Sequence, residues 1–200
     1  MKKIKIKEGA KRKIGIDIDE VVVKFMEGYL KFYNLKYKTF FNLKDITHYH
    51  LWECGLYTSK KNSIKEVLDF QNSNEFDALK MIEGAKFGLN EISKNHKICF
   101  ITSRPIELKE KTIDFFYKHF PKNGYEFIFS GEVYGGLTKS RICNKLQIEK
   151  MVEDNADYAL DCAKNGIKTF LLNKPWNRNY EKHKNIIKVQ TWRDILKKLK

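Results

Sequence analysis

Short apolar runs and amphipathic stretches alternate along most of this chain. Residues 13–17, Lys-Ile-Gly-Ile-Asp, read as a buried strand, and comparable apolar runs recur at 98–101, 127–129, 151–152 and 169–172. Helical patterns lie between them. Residues 86–94 precede the second run and 105–120 follow it, with Pro105 in the first turn and Ile106, Ile113, Phe116 and Phe120 on one face. Further helices are predicted at 140–146 and at 156–164, the latter ending near Gly166. The last begins at Thr191, where Asp194 three residues on makes a variant capping box. Strands alternating with helices predict an α/β domain built on a doubly wound parallel sheet.

The rhythm breaks between Val23 and Gly84. No core strand is legible there, only helical patterns at 24–34 and 63–70 and irregular sequence rich in aromatics, from Phe25 and Tyr29 to Tyr49, Trp52 and Tyr57. We read 24–84 as a small helical insertion after the first strand, covering the end of the sheet, with 1–23 and 85–200 as the α/β core. Aromatics at helical spacing build a private core first. One or two of them are expected to face a ligand.

Two hundred residues, 42% hydrophobic and 14% aromatic, can bury a core without disulfides or metal, and are hard to leave disordered in water. The balance of 39 basic against 25 acidic residues, +14, raises the question of nucleic acid or anionic membrane. Its make-up argues otherwise, because 34 of the basic residues are Lys and 5 are Arg, whereas bidentate readers of phosphate and base are Arg. A solvated lysine surface is the expectation. Residues 1–13 alternate Lys with Ile and lack a secretory apolar stretch, and no run reaches membrane-span length, so a cytoplasmic protein without membrane contact is expected. Cys54, Cys99, Cys143 and Cys162 form no C-x-x-C pair and are read as buried thiols; His48 and His50 are read as surface or core rather than metal ligands.

Candidate chemistry sits where the strands run out. In Ile14-Gly15-Ile16-Asp17-Ile18-Asp19, two aspartates two apart share one face of extended backbone, at the carboxyl end where parallel sheets bind ligands. Their mutual repulsion calls for a divalent cation or a shared proton. Thr102 and Ser103 stand where the second strand gives way to a helix, and helix N-termini attract anions. Lys139 opens the next helix, and Glu153, Asp154 and Asn155 end the fourth strand. Singly, each piece is as well explained as a cap or a loop former.

Together and in this order they resemble the four motifs of the haloacid dehalogenase (HAD) superfamily, whose members are mostly magnesium-dependent phosphatases. Asp17, Asp19 and Val21 match the first motif, Thr102 the second, Lys139 the third, and Glu153 with Asp154 the fourth. A closer likeness is to the 5'(3')-deoxyribonucleotidase-like, cytosolic type C 5'-nucleotidase family: Phe25 lies eight residues after Asp17, and Pro175-Trp176-Asn177 looks like that family's segment after the last core strand. The resemblance implies a HAD-like core with a helical cap, and a hydrolase of small phosphomonoesters, nucleoside monophosphates foremost. It implies Asp17 as nucleophile, Asp19 as general acid and base, and Mg²⁺ held by Asp17, Asp154 and the Asp19 carbonyl. Lys139 and Thr102 would complete the catalytic set, with Ser103 and Phe25 binding substrate. Glu20, Lys24, Glu153 and Asn155 depart from the animal enzymes, which leaves the substrate open. A phosphatase of nucleic-acid ends or of another phosphorylated metabolite, and a non-catalytic basic nucleic-acid-binding protein, stay as alternatives.

Overall fold

The computed structural model describes residues 11–120, 124–131 and 135–199. Most of the lysine-rich start and Pro121 lie outside the described residues. Among these residues the sheet has six strands: β1 (Arg12–Ile16), β2 (His96–Thr102), β3 (Glu126–Phe129), β4 (Lys150–Glu153), β5 (Lys168–Leu172) and β6 (Ile186–Val189). All pair in parallel, in the order β3-β2-β1-β4-β5-β6. This is the doubly wound arrangement that the alternation predicted.

Period-two alternation explains why the sheet has a core on each face. Ile98 and Phe100 of β2 join Ile14, Ile16, Val152 and Phe170 in the larger apolar cluster. Cys99 and Ile101 point the other way, to Met151, Ile148 and Cys162. Three of the four thiols are buried, as expected, while Cys54 is partly exposed.

The helices are α1 (Phe25–Tyr37), α2 (Lys60–Gln71), α3 (Asn74–Asp77), α4 (Ala85–Asn95), α5 (Lys109–His119), α6 (Lys139–Leu146), α7 (Ala156–Lys164) and α8 (Trp192–Leu199). Among the described residues no helix is long and apolar enough to cross a membrane. The reciprocal box at the last helix is present: Asp194 N donates to Thr191 Oγ1 at 3.3 Å, and Thr191 N donates to Asp194 Oδ2 at 3.0 Å. Two readings need correction. Pro105 is extended (ψ 152°) and precedes a 3-10 turn at Ile106–Leu108, so α5 starts later than predicted. Ile106 is exposed, and its place on the buried face is taken by Leu108 and Thr112, eight and four residues before Phe116. The edge strand β6, Ile-Ile-Lys-Val, carries a lysine and stays half-buried over most of its length, which hid it from a search for apolar runs.

The packing of α8 on α4 depends on a missing Cβ. A Cβ at Gly88 would lie 2.3 Å from Trp192 Cε3. The indole cannot retreat, because it is buried and its Nε1 donates to Val21 O at 2.9 Å. Gly88→Ala gains about 1 kcal/mol of helix propensity, against about 1–3 kcal/mol for overpacking. Net destabilisation and a lower Tm in thermal denaturation are expected.

Between β1 and α4 the chain makes α1, α2, α3 and two 3-10 turns. Both ends of this excursion are tied at one neck: Lys24 N donates to Lys80 O at 2.8 Å and Ile82 N to Val22 O at 2.8 Å. Its aromatics pack on one another. Phe70 meets Phe25 edge-on at 5.2 Å and Tyr29 at 5.4 Å. Phe40, by contrast, is 94% exposed and belongs to no core.

Candidate active site

Asp17 follows β1 directly, and its N–H donates to Val152 O at 3.0 Å, continuing the pairing of β1 with β4 by one residue. The pairing brings Asp17 beside the acids that end β4. Carboxylate oxygens of Asp17, Glu153 and Asp154 lie within 4.8 Å of one another, and all three residues are buried. Lys139, the first residue of α6, reaches into this group. Its Nζ lies 2.7 Å from Asp17 Oδ1 and 2.8 Å from Glu153 Oε2, and the side chain is 2% exposed. Thr138 sets the start of α6 by accepting Arg141 N on its Oγ1 at 3.3 Å.

The electrostatics follow from crowding in a dry place. Burial pushes the Asp17 carboxyl up to about 7; Lys139 pulls against the rise, and Glu153 and Asp19 add to it. Burial, then Glu153 and Asp17, hold Asp154 well above the ordinary carboxylate value. Burial alone would discharge Lys139, but the Asp17 and Glu153 carboxylates outweigh it and keep the ammonium well above the usual lysine value. The cluster carries more acid than its lysine balances. Hard oxygen donors in surplus suit a magnesium-like cation.

Glu153 is fully committed. Its Oε1 accepts the Asp154 and Asn155 amides, each at 3.1 Å, at the N-terminus of α7, and its Oε2 faces Lys139. Asp154 is oriented from behind by the Pro175–Asn177 turn: Trp176 Nε1 donates to Asp154 Oδ2 at 2.9 Å, and Asn177 Nδ2 donates to Asp154 O at 2.6 Å. Thr102 is buried, and its Oγ1 accepts Arg104 N at 3.2 Å. Ser103 Oγ is buried without a hydrogen-bond partner.

Asp19 is not in the acidic cluster. Arg104 grips it with two bonds, Nε to Oδ2 at 2.9 Å and Nη2 to Oδ1 at 2.6 Å, and donates through Nη1 to Thr112 Oγ1 at 3.0 Å. Glu20 has a left-handed backbone (φ 58°), which costs a non-glycine residue about 1–2 kcal/mol. Its carboxylate anchors that turn, accepting Met26 N at 2.6 Å and Lys174 Nζ at 2.7 Å.

A cavity of about 340 Å³ opens beside these groups, lined by Asp19, Asp154, Ser103 and Arg104 from the sheet side and by Phe25, Tyr49, His50 and Trp52 from the segment between β1 and β2. Phe25 thus both packs on Phe70 and faces the cavity, and His50, read as surface or core, stacks on Trp52 at 4.2 Å along its wall.

The structure therefore brings Asp17, Lys139 and Asp154 together and puts Ser103 and Phe25 on one cavity with Asp19. Sequence reasoning missed the partners: Arg104, Glu153 as lysine acceptor, Trp176 and Asn177 as supports of Asp154, and Gln71 in the cavity wall. One signal for Arg104 was available. With 5 Arg among 39 basic residues, an arginine beside the second motif marks a place where a bidentate fork is needed.

Comparison with known proteins bears on this arrangement. The family described as "5' nucleotidase, deoxy (Pyrimidine), cytosolic type C protein" matches residues 11–199. The chain is 26% identical over 197 residues to the 5'(3')-deoxyribonucleotidase of Bacillus subtilis, covering 94% of this chain and 99% of that one. A haloacid dehalogenase-like family hydrolase from Streptococcus pneumoniae superposes with a TM-score of 0.67 at 12% identity, over 95% of this chain and 99% of the other. A Bacillus subtilis protein described as a HAD-hydrolase and solved bound to magnesium gives 0.64 at 11% identity, over 95% and 99%. These two structural likenesses speak to the fold.

Proposed function

This chain belongs to the 5' nucleotidase, deoxy (pyrimidine), cytosolic type C family, a HAD-type group of phosphatases, and from that premise we propose that it hydrolyses (deoxy)nucleoside monophosphates through an aspartyl-phosphate on Asp17. The observation that carries the reading is the buried contact of Asp17 with Lys139, beside Glu153 and Asp154, next to a cavity of nucleotide size. The segment 24–84 serves as the cap that closes this cavity.

In the first step an Asp17 carboxylate oxygen bonds to phosphorus as the bond to the leaving oxygen breaks, and Asp19 gives that oxygen a proton. In the second, Asp19 takes a proton from water, the water oxygen bonds to phosphorus, and the Asp17–phosphorus bond breaks, releasing phosphate. Arg104 occupies both Asp19 oxygens at rest, so Asp19 gives up one of these bonds when it carries the proton. Lys139 offsets charge on the phosphoryl oxygens, and Thr102 and Ser103 donate hydrogen bonds to them. Phe25 stacks on the base.

Three buried carboxylates against one lysine fit a divalent cation, and Asp17, Asp154 and the Asp19 carbonyl are the groups that would hold Mg²⁺. Bound there, Mg²⁺ supplies the positive charge that lets phosphate enter an acidic site. Glu153 stays with Lys139 and the α7 amides.

The test is phosphate release from deoxynucleoside monophosphates and from 5'-phosphorylated oligonucleotides, with Mg²⁺ or EDTA, at about 50 and 200 mM salt. Magnesium-dependent release is expected, with kcat/KM for mononucleotides at least about tenfold above that for oligonucleotides, a gap of ~1.4 kcal/mol. No magnesium-dependent release from any substrate would overturn the reading. Oligonucleotide preference with a steep salt slope would shift it to nucleic-acid ends.

A further inference from the structure

One stripe of α2 faces the cavity, since Lys60, Ser63, Ile64, Val67 and Gln71 recur at helical spacing and all line it. Gln71 ends the stripe and the helix. The residue is 5% exposed, and its Oε1 is buried without any hydrogen-bond partner. Buried polar atoms are normally paired, so an orphaned amide oxygen in a cavity wall points to a partner that arrives with the ligand. The wall does carry side-chain donors, Lys60 and Ser63 on the same helix among them, yet none of them pairs with this oxygen.

The chemistry of the orphan narrows the partner. A carboxamide sets a donor beside an acceptor in one plane, the pattern found on the edge of a nucleobase. It carries no charge for a phosphate, and the nearby Arg104 guanidinium is spent on Asp19 and Thr112. Aromatic lining from Phe25 and Trp52 suits a flat heterocycle. Resting on the nucleotidase reading above, we propose that Gln71 is a specificity-determining residue whose side-chain amide reads the edge of the substrate's base. An amide can rotate to present its donor and acceptor in either order, so the native residue accepts both keto and amino pyrimidines.

The experiment compares native protein, Gln71→Met and Gln71→Glu on dUMP, dCMP and deoxyribose 5-phosphate, with binding of deoxyuridine and deoxycytidine measured calorimetrically. Gln71→Met keeps the side-chain length and loses the hydrogen bonds. It is expected to raise KM for both nucleotides at least about tenfold, with kcat within about threefold and deoxyribose 5-phosphate unaffected. Gln71→Glu keeps acceptors only and is expected to raise KM for both nucleotides at least about tenfold, because each base edge offers one donor, N4–H or N3–H, beside an acceptor that a carboxylate cannot serve. An equal loss on the base-free substrate, or no change on any, overturns the assignment. Should the native protein turn over none of the three phosphates, the hydrolase reading fails. Nucleoside binding then decides the base contact alone, loss in Gln71→Met upholding it and unchanged or absent binding overturning it.

Discussion

Asp17→Asn is expected to lower kcat by at least about 10⁴-fold, and to make the metal-free protein more stable than the native chain above pH 7. The first effect follows from chemistry: an amide oxygen is a poor nucleophile toward phosphorus, and no other carboxylate of the cluster is free to take the role, Glu153 being held by Lys139 and two amides and Asp154 by Trp176. The second follows from burial. In the folded protein the Asp17 carboxyl is pushed up to about 7, burial outweighing the pull of Lys139, whereas in the unfolded chain it titrates near about 4. The raised value means that the folded state holds the proton more tightly. This contribution to stability is whole below about pH 4 and is lost as pH rises through about 7. Asn does not titrate. The difference in Tm, variant minus native, should therefore grow between these limits and level off above them, as read by calorimetry in EDTA. A difference independent of pH would show that Asp17 stays ionised throughout. Mg²⁺ should reverse the order at pH 8, because the native site gains RT ln(1 + [Mg²⁺]/Kd) and the variant has lost a ligand.

Lys139→Met should be the most destabilising single change at the site. The lysine is 2% exposed and bridges Asp17 and Glu153 at 2.7 and 2.8 Å, so its removal leaves carboxylates buried without the cation they face. Breaking a buried pair in this way costs about 3–5 kcal/mol. The loss should be larger at pH 8 than at pH 5, where protonation of Asp17, held up to about 7 by burial, relieves the repulsion. Turnover should fall by about 10²–10³-fold from the lost charge opposite the phosphoryl group. A double change, Lys139→Met with Glu153→Gln, separates the causes. If like charge is the reason, the double variant melts above the single one, and Mg²⁺ recovers part of the loss in both. Equal melting of single and double variants would place the damage in packing instead.

Much of the arrangement was legible because it is local. The Thr191–Asp194 box lies within four residues, and its two reciprocal bonds formed as read. Asp17 and Lys139 were legible as candidates because a strand end and a helix start, each visible in its own run of sequence, carry them to one edge of the sheet. Pro105 misled, since a proline that suits a first helical turn equally suits the extended residue before a 3-10 turn. Strand β6 went unread because its lysine breaks the apolar run and its burial comes from β5, α7 and α8, which only the fold brings to it.

By itself, then, the sequence determined the order of the five apolar strands and their helices and the kinds of group that end them, since periodicity, caps and turns are decided among residues a few positions apart. Which groups face one another was decided only by the tertiary structure. Arg104 finds Asp19 across 85 positions, Lys174 finds Glu20 across 154, and Trp176 finds Asp154 across 22. The orphaned Gln71 amide had no signature in the chain, because a polar side chain becomes conspicuous only when folding removes its water and supplies no partner.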